Sequence, residues 1–328
     1  MKKVGLGIIG LGYVGNTHLR HGLRLDNARL IAVSDVSKKA LNKARASGVK
    51  KTYDNYQQLL KDSEIDAVVV ALPTHLHAEC SVLVCEAGKH IFLEKPIAAN
   101  VIDARQIVTA ARRNSIKLMI GYPLRFNSQF CKLKKQLDDG ALGDIEVAQA
   151  SYVNSGPFMH RGEANIPVPV PEWWFDKEKT GGGALIDVGS HLINLLRWFF
   201  GDITAIRAQF GYRFNLDLED SAICLAKFKS GTRALITVGW FCQKSALEIG
   251  LFGTVQYSRA EQLLQHPLVT AVQVLTTKTS KFYQPHNAEL RYFTDCVARD
   301  LIPSPSGEDG LKDLEAIMLA YRNPIHLT

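Results

Sequence analysis

Two short runs of the sequence hold side chains of the kinds needed to take a proton from a hydroxyl group. Glu94-Lys95-Pro96 follows the apolar stretch His90 to Leu93, and Gly181-Gly182-Gly183-Ala184-Leu185-Ile186-Asp187-Val188-Gly189-Ser190-His191 leads into a helix-patterned segment. A spacing of four puts Asp187 and His191 on one side of a helix start. An imidazole titrates near neutrality and can act as the base, an ammonium favours the developing alkoxide, and a carboxylate orients both. Taken alone, the same three residues read equally well as a surface lysine, a half-buried helix histidine and an N-terminal cap.

A second pattern handles phosphate. Gly10-Leu11-Gly12-Tyr13-Val14-Gly15 lies between an apolar run and a helical one, and Asp35 stands twenty residues beyond Gly15. The first glycine permits a tight turn, the second lets backbone approach a pyrophosphate, and the third allows close helix-strand packing. The helix N-terminus, with Tyr13 and Val14 in its first turn, supplies N–H groups and partial positive charge. Asp35 would accept from a ribose hydroxyl and repel a 2'-phosphate, so NAD is expected over NADP, with Lys38 and Lys39 softening the preference. The cofactor then carries the hydride, and the rest of the chain must handle the proton. No tyrosine is followed four residues on by lysine, and no C-x-x-C pair suggests a zinc cluster. His75 and His77 lack the carboxylate or thiolate partner of a metal pair, so no metal is expected.

These groups need a scaffold, and the periodicity supplies one. Val4 to Ile9, Arg29 to Ser34, Ala67 to Leu72, His90 to Leu93 and Lys117 to Ile120 read as five parallel strands separated by helical patterns. Helix starts are read at Asp54, at Thr74, and at Asn100 with Asp103. After Gly121, alternation from Ile206 to Phe214 and two runs flanking Lys229-Ser230-Gly231 predict a strand and a hairpin, with Phe210, Tyr212 and Phe214 on one apolar face. Further helices are expected at Ser190 to Phe200, stopped by Gly201, and at Leu311 to Arg322. Residues 154–172 carry four prolines and read as a long loop. The fold class is thus α/β: an N-terminal doubly wound Rossmann domain (1–121), then an α+β domain (122–328) with a large mixed or antiparallel sheet.

The 328 residues carry 39 basic and 32 acidic side chains, a net charge of +7 spread too thinly to imply nucleic acid. The basic run Lys132 to Lys135 reads as a solvated helix face. All six cysteines read as small core residues of a reducing compartment. No cleavable leader or membrane span is apparent, so a cytoplasmic protein without membrane or nucleic-acid partners is expected.

In these features the sequence resembles the Gfo/Idh/MocA family of glucose-fructose oxidoreductase and inositol dehydrogenase. The likeness runs from the glycine loop through Leu72-Pro73-Thr74-His75-Leu76-His77, Glu94-Lys95-Pro96, Gly121-Tyr122-Pro123-Leu124-Arg125-Phe126, and Trp173 with Asp176, to the glycine-rich run ending at Gly201; it covers about residues 3 to 240. The resemblance implies a six-stranded open C-terminal sheet, often used for oligomerisation. It implies that Lys95, Asp187 and His191 are catalytic, and that Leu72, Pro73, His77, Glu94 and Lys95 lie beside the nicotinamide and its ribose. Tyr122, Arg125 and Trp173, with Lys95, Asp187 and His191, become the substrate-contact candidates. Trp174, Tyr152, Phe158 and Arg161 are weaker candidates, the aromatics reading more readily as core. Thr74, Trp174 and Asn194 depart from the family's usual asparagine, arginine and aspartate, so substrate identity does not carry over. The activity implied is NAD-dependent oxidation of a secondary hydroxyl on a sugar, polyol or nucleotide sugar by a homodimer or homotetramer. The alternatives are reduction of a ketosugar or imine, or a nonenzymatic dinucleotide-binding redox sensor that would have no use for a proton base.

Overall fold

A computed structural model of the chain describes residues 3–161, 164–167, 170–264 and 283–325. The chain divides into two compact units, Met1–Pro123 with Tyr283–Leu311, and Leu124–Phe282 with Lys312–Thr328.

The first unit is built on a parallel six-stranded sheet. Its strands are β1 (Val4–Ile9), β2 (Ala28–Ser34), β3 (Lys51–Tyr53), β4 (Ala67–Val70), β5 (His90–Glu94) and β6 (Leu118–Gly121), in the order β3-β2-β1-β4-β5-β6. β1 and β4 are buried along their whole length, which is why they read as unbroken apolar runs. β3 escaped the sequence reading because it is a three-residue, half-buried edge strand. The crossover helices are α1 (Tyr13–Gly22), α2 (Lys38–Ala46), α3 (Tyr56–Leu60), α4 (His77–Glu86) and α5 (Val101–Arg113). Asn100 caps α5 by accepting from the Asp103 N–H, as expected. Two other expected starts are corrected: Asn55, not Asp54, caps α3, and Thr74 opens a 3-10 turn that ends before α4 begins at His77. A later helix of this unit, Tyr283–Ala298, packs on α1, β1 and β5.

The second unit contains α6 (Ser128–Asp138), β7 (Ile145–Val153), the hairpin β8 (Phe158–Arg161) and β9 (Ala164–Pro167), α7 (Lys177–Thr180), α8 (Ser190–Phe200), and strands β10 (Ile203–Gly211), β11 (Ser221–Phe228), β12 (Arg233–Gly239), β13 (Ser245–Gly253) and β14 (Tyr257–Leu264). Its main sheet has the order β10-β11-β12-β7-β13-β14, antiparallel except for the β12–β7 pair, so the sheet is mixed. The β11–β12 hairpin and the stop of α8 at Gly201 fall where the sequence put them.

Three expectations need correcting here. Residues 154–172 are not structureless, because β8 and β9 pair within them and Glu172–Phe175 forms a 3-10 turn. The alternating strand stops at Gly211: Phe210 stacks on Tyr321 at 5.2 Å, Tyr212 is exposed, and Phe214 packs 4.2 Å from Phe158. Four cysteines are buried as expected, but Cys131 is exposed and Cys242 half-buried. The basic run on α6 is indeed a surface feature, with Lys134 paired to Asp138 and Lys135 to Asp139 at one-turn spacing. Among the described residues no helix is long and apolar enough to cross a membrane.

Candidate functional site

The glycine loop sits between β1 and α1. Gly10 has φ +90°, and a Cβ there would lie 2.4 Å from the Ala71 carbonyl oxygen. A Cβ on Gly15 would lie 2.0 Å from the Gly10 carbonyl oxygen, so helix and strand touch at that point. Gly12 differs, since nothing lies within 4 Å of where its Cβ would be. Gly12, the N-cap of α1, makes no side-chain cap and leaves an open cradle over the first turn of the helix, at Tyr13 and Val14. Asp35 closes the end of β2 with its carboxylate held on both sides: Oδ2 accepts from the Leu11 N–H and Oδ1 from the Ser37 N–H, each at 2.7 Å. These residues fit a dinucleotide.

The carboxyl ends of β4 and β5 are tied by His77. Its Nε2 lies 2.9 Å from the Leu72 carbonyl oxygen and its Nδ1 3.0 Å from that of Pro96. Burial pushes its pKa below the usual histidine value. The ring is 1% exposed, so any bearing of His77 on a cofactor runs through the Leu72-Pro73 and Lys95-Pro96 backbone that it clamps together. Lys95 is half-buried at the end of β5, and Tyr122, just past β6, is buried.

Glu94 has a partner the sequence did not suggest. His18, buried on α1, places Nε2 2.6 Å from Glu94 Oε1. Burial alone would raise the Glu94 carboxyl, but the His18 hydrogen bond and neighbouring positive charge bring it below the usual range. Glu289 joins them, and the three groups lie within 4.8 Å of one another. Both Glu289 carboxyl oxygens are buried without a hydrogen-bond partner among the described residues, and burial together with the Glu94 charge pushes that carboxyl well above its ordinary value.

In the second unit Asp187 and His191 lie at one helix entrance. Leu185–Gly189 forms a single π-helical turn that runs into α8, placing Asp187 in the turn and His191 in the first turn beyond it. Such turns occur frequently at functional sites. The anchor of the turn is Glu219, a residue the sequence reading missed. Its carboxylate accepts from the Gly183 N–H at 3.0 Å, the Leu185 N–H at 2.9 Å and the Tyr321 hydroxyl at 2.7 Å, and burial pushes its pKa up. Gly183 must be glycine, because a Cβ would meet the Glu219 carbonyl oxygen at 1.8 Å. Around the catalytic candidates, Trp240 donates its indole N–H to Asp187 Oδ2 at 3.2 Å and the Tyr152 ring lies 5.9 Å from that of His191. Trp173 reaches this cluster by ring contacts, with Trp173 to Trp174 and Trp174 to Trp240 each 6.3 Å between centroids.

Other expected substrate contacts are placed elsewhere. Arg125 is buried, donating Nε to Asn194 Oδ1 at 2.7 Å. Asn194 in turn donates to Asp313 Oδ2 at 2.6 Å, and Asp313 also pairs with Arg197. Buried guanidinium groups require a counter-charge, and Asp313 provides it where position 194 carries only an amide. Phe158 is core, packed on Phe175 and Phe214. The Arg161 side chain lies outside the described residues.

Known proteins match the chain over most of its length. Residues 4–122 match the model of an oxidoreductase family with an NAD-binding Rossmann fold, and residues 130–256 match the GFO/IDH/MocA C-terminal domain. Myo-inositol 2-dehydrogenase of Thermotoga maritima is 26% identical over 335 residues, spanning 96% of this chain and 94% of the relative. In fold the chain is similar to levoglucosan dehydrogenase in complex with NADH, with TM-score 0.84, 19% identity, and 98% and 96% of the two chains covered. It is equally similar to the WlbA dehydrogenase of Bordetella pertussis in complex with NADH and UDP-GlcNAcA, with TM-score 0.84, 22% identity, and 100% and 99% covered. With both halves matched in order and the glycine cradle and Asp35 in place, the chain belongs to the Gfo/Idh/MocA family of oxidoreductases and carries its NAD-binding Rossmann domain.

Proposed function

We propose that this protein oxidises a secondary hydroxyl of a sugar, polyol or nucleotide sugar with NAD as the hydride acceptor. The observation that carries the reading is the π-helical turn that sets Asp187 and His191 at one helix entrance, in a chain whose other unit holds an open dinucleotide cradle. The names of the relatives support the substrate class, since inositol, levoglucosan and UDP-GlcNAcA all present ring hydroxyls. NAD, when bound, supplies an electrophilic carbon for the hydride. His191 accepts the hydroxyl proton, Lys95 donates a hydrogen bond to the same oxygen, and Asp187 orients substrate and imidazole. Asp35, whose two oxygens accept the Leu11 and Ser37 N–H groups, accepts a ribose hydroxyl and repels a 2'-phosphate in this reading, so NAD is preferred to NADP.

The test is NADH absorbance with a panel of myo-inositol, scyllo-inositol, levoglucosan and UDP-linked sugars, followed by His191→Asn on the compound turned over fastest. Loss of general base catalysis lowers kcat by about 10² to 10⁴ while the NAD dissociation constant holds. A His191→Asn enzyme within about threefold of the parent kcat would show that the imidazole does not move the proton.

A further inference from the structure

We infer that Trp240 is a positioning residue for the reaction, holding the Asp187 carboxylate in its working orientation through the indole N–H. The inference rests on the reading of Asp187 given above and adds to it the group that fixes its rotamer. Trp240 follows β12 and is 1% exposed, the largest fully buried side chain among the described residues. An indole offers one donor and no acceptor. A buried indole N–H needs a partner, and here that partner is Asp187 Oδ2 at 3.2 Å.

The indole is itself held on several sides. Its backbone N–H donates to the Asp220 carbonyl oxygen at 2.9 Å. Gly156 closely approaches the ring, a Cβ on that residue lying only 2.2 Å from Trp240 Cγ, and Trp174 packs against the ring. Gly156 is in turn kept in place by its N–H on Asn154 Oδ1 at 2.8 Å. The donor therefore cannot swing away without displacing the loop after β7, and the direction of the N–H is set before any substrate arrives. Asp187 lies in a π-helical turn, and the Trp240 indole N–H is a donor from outside that turn that ends on its Oδ2. A hydrogen bond to a charged acceptor is stronger than one between neutral groups and is suited to this task.

The test compares Trp240→Phe, Asp187→Asn and the double variant with the parent enzyme, using NAD and the panel compound turned over fastest. Trp240→Phe keeps most of the ring and deletes the donor. The expected result is a fall in kcat of about tenfold to a hundredfold, an unchanged KM for NAD, and little further loss when the same replacement is made in Asp187→Asn. A purely structural role would lower kcat by the same factor in both backgrounds, and that result overturns the inference, as does Trp240→Phe within about threefold of parent kcat. A second measurement needs neither turnover nor a Trp240 variant. Of the four indole N–H resonances in the NMR spectrum of the intact protein, that of Trp240 should move on Asp187→Asn, and its failure to move refutes the hydrogen bond. If the resonance moves but Asp187→Asn keeps the parent kcat, the hydrogen bond stands and the catalytic reading of Asp187 fails, taking the proposed role of Trp240 with it.

Discussion

Replacing Glu219 by alanine should loosen the turn that carries Asp187 and His191. Three donors now end on this carboxylate: the Gly183 N–H, the Leu185 N–H and the Tyr321 hydroxyl, with Glu219 itself 2% exposed. A buried donor left without a partner costs about 1 to 3 kcal/mol. Removing a buried acid whose pKa burial has already raised returns part of that, so the net loss expected is about 3 to 5 kcal/mol. That is a large fraction of the ~5 to 15 kcal/mol that holds a typical domain together. Glu219→Gln keeps one oxygen but turns an NH2 toward donors, so it should fall between the parent and Glu219→Ala. Urea unfolding followed by tryptophan fluorescence reads the ranking, and amide hydrogen exchange at Gly183 and Leu185 localises it. Glu219→Ala within about 0.5 kcal/mol of the parent, or a glutamine variant weaker than the alanine one, would refute the assignment of Glu219 as the anchor.

Three further outcomes are expected. Asp35→Ser should narrow or reverse the preference of the protein for NAD over NADP, read by fluorescence titration of both cofactors; equal binding of the two by the parent protein would count against the role of Asp35. Glu289 holds its proton in the folded state at pH values where the unfolded chain releases it, so folding stability should fall as pH rises above the ordinary carboxyl value, by about 1.4 kcal/mol per unit until the raised pKa is passed. Glu289→Gln should abolish that slope and gain on the parent as pH rises above the ordinary carboxyl value, whereas parallel curves would show that Glu289 is ionised when folded. The face of the second sheet that bears Ile223 and Leu225, 47% and 56% exposed, should be covered by another copy in a dimer or tetramer; light scattering that returns a 36.3 kDa particle at micromolar concentration would exclude it.

Much of the first unit was legible because its signals are local. An apolar strand buried on both faces, a glycine loop and an acid at the end of the next strand each declare themselves within a few residues. The same holds for the β11–β12 hairpin and for α8, whose stop lies one residue past its last turn. The proton-handling candidates were legible as residue types, but the residues alone left them balanced against ordinary surface and capping roles.

Only the tertiary structure supplied the partners. His18 meets Glu94 across 76 positions, Trp240 meets Asp187 across 53, and Asp313 meets Asn194 across 119. No periodicity or spacing rule reaches so far, because such contacts depend on which strands pair and on where a later segment returns. The parallel β12–β7 pair joins Arg233 to Val147, and the helix Tyr283–Ala298 comes back to the first unit carrying Glu289. Composition and local pattern determined which elements form and which side chains could do chemistry. The burial and hydrogen bonding that decide how those side chains are held, with Arg125 in the core, His77 as a clamp, and Asp187 beside an indole N–H, arise only once distant segments exclude water from one another.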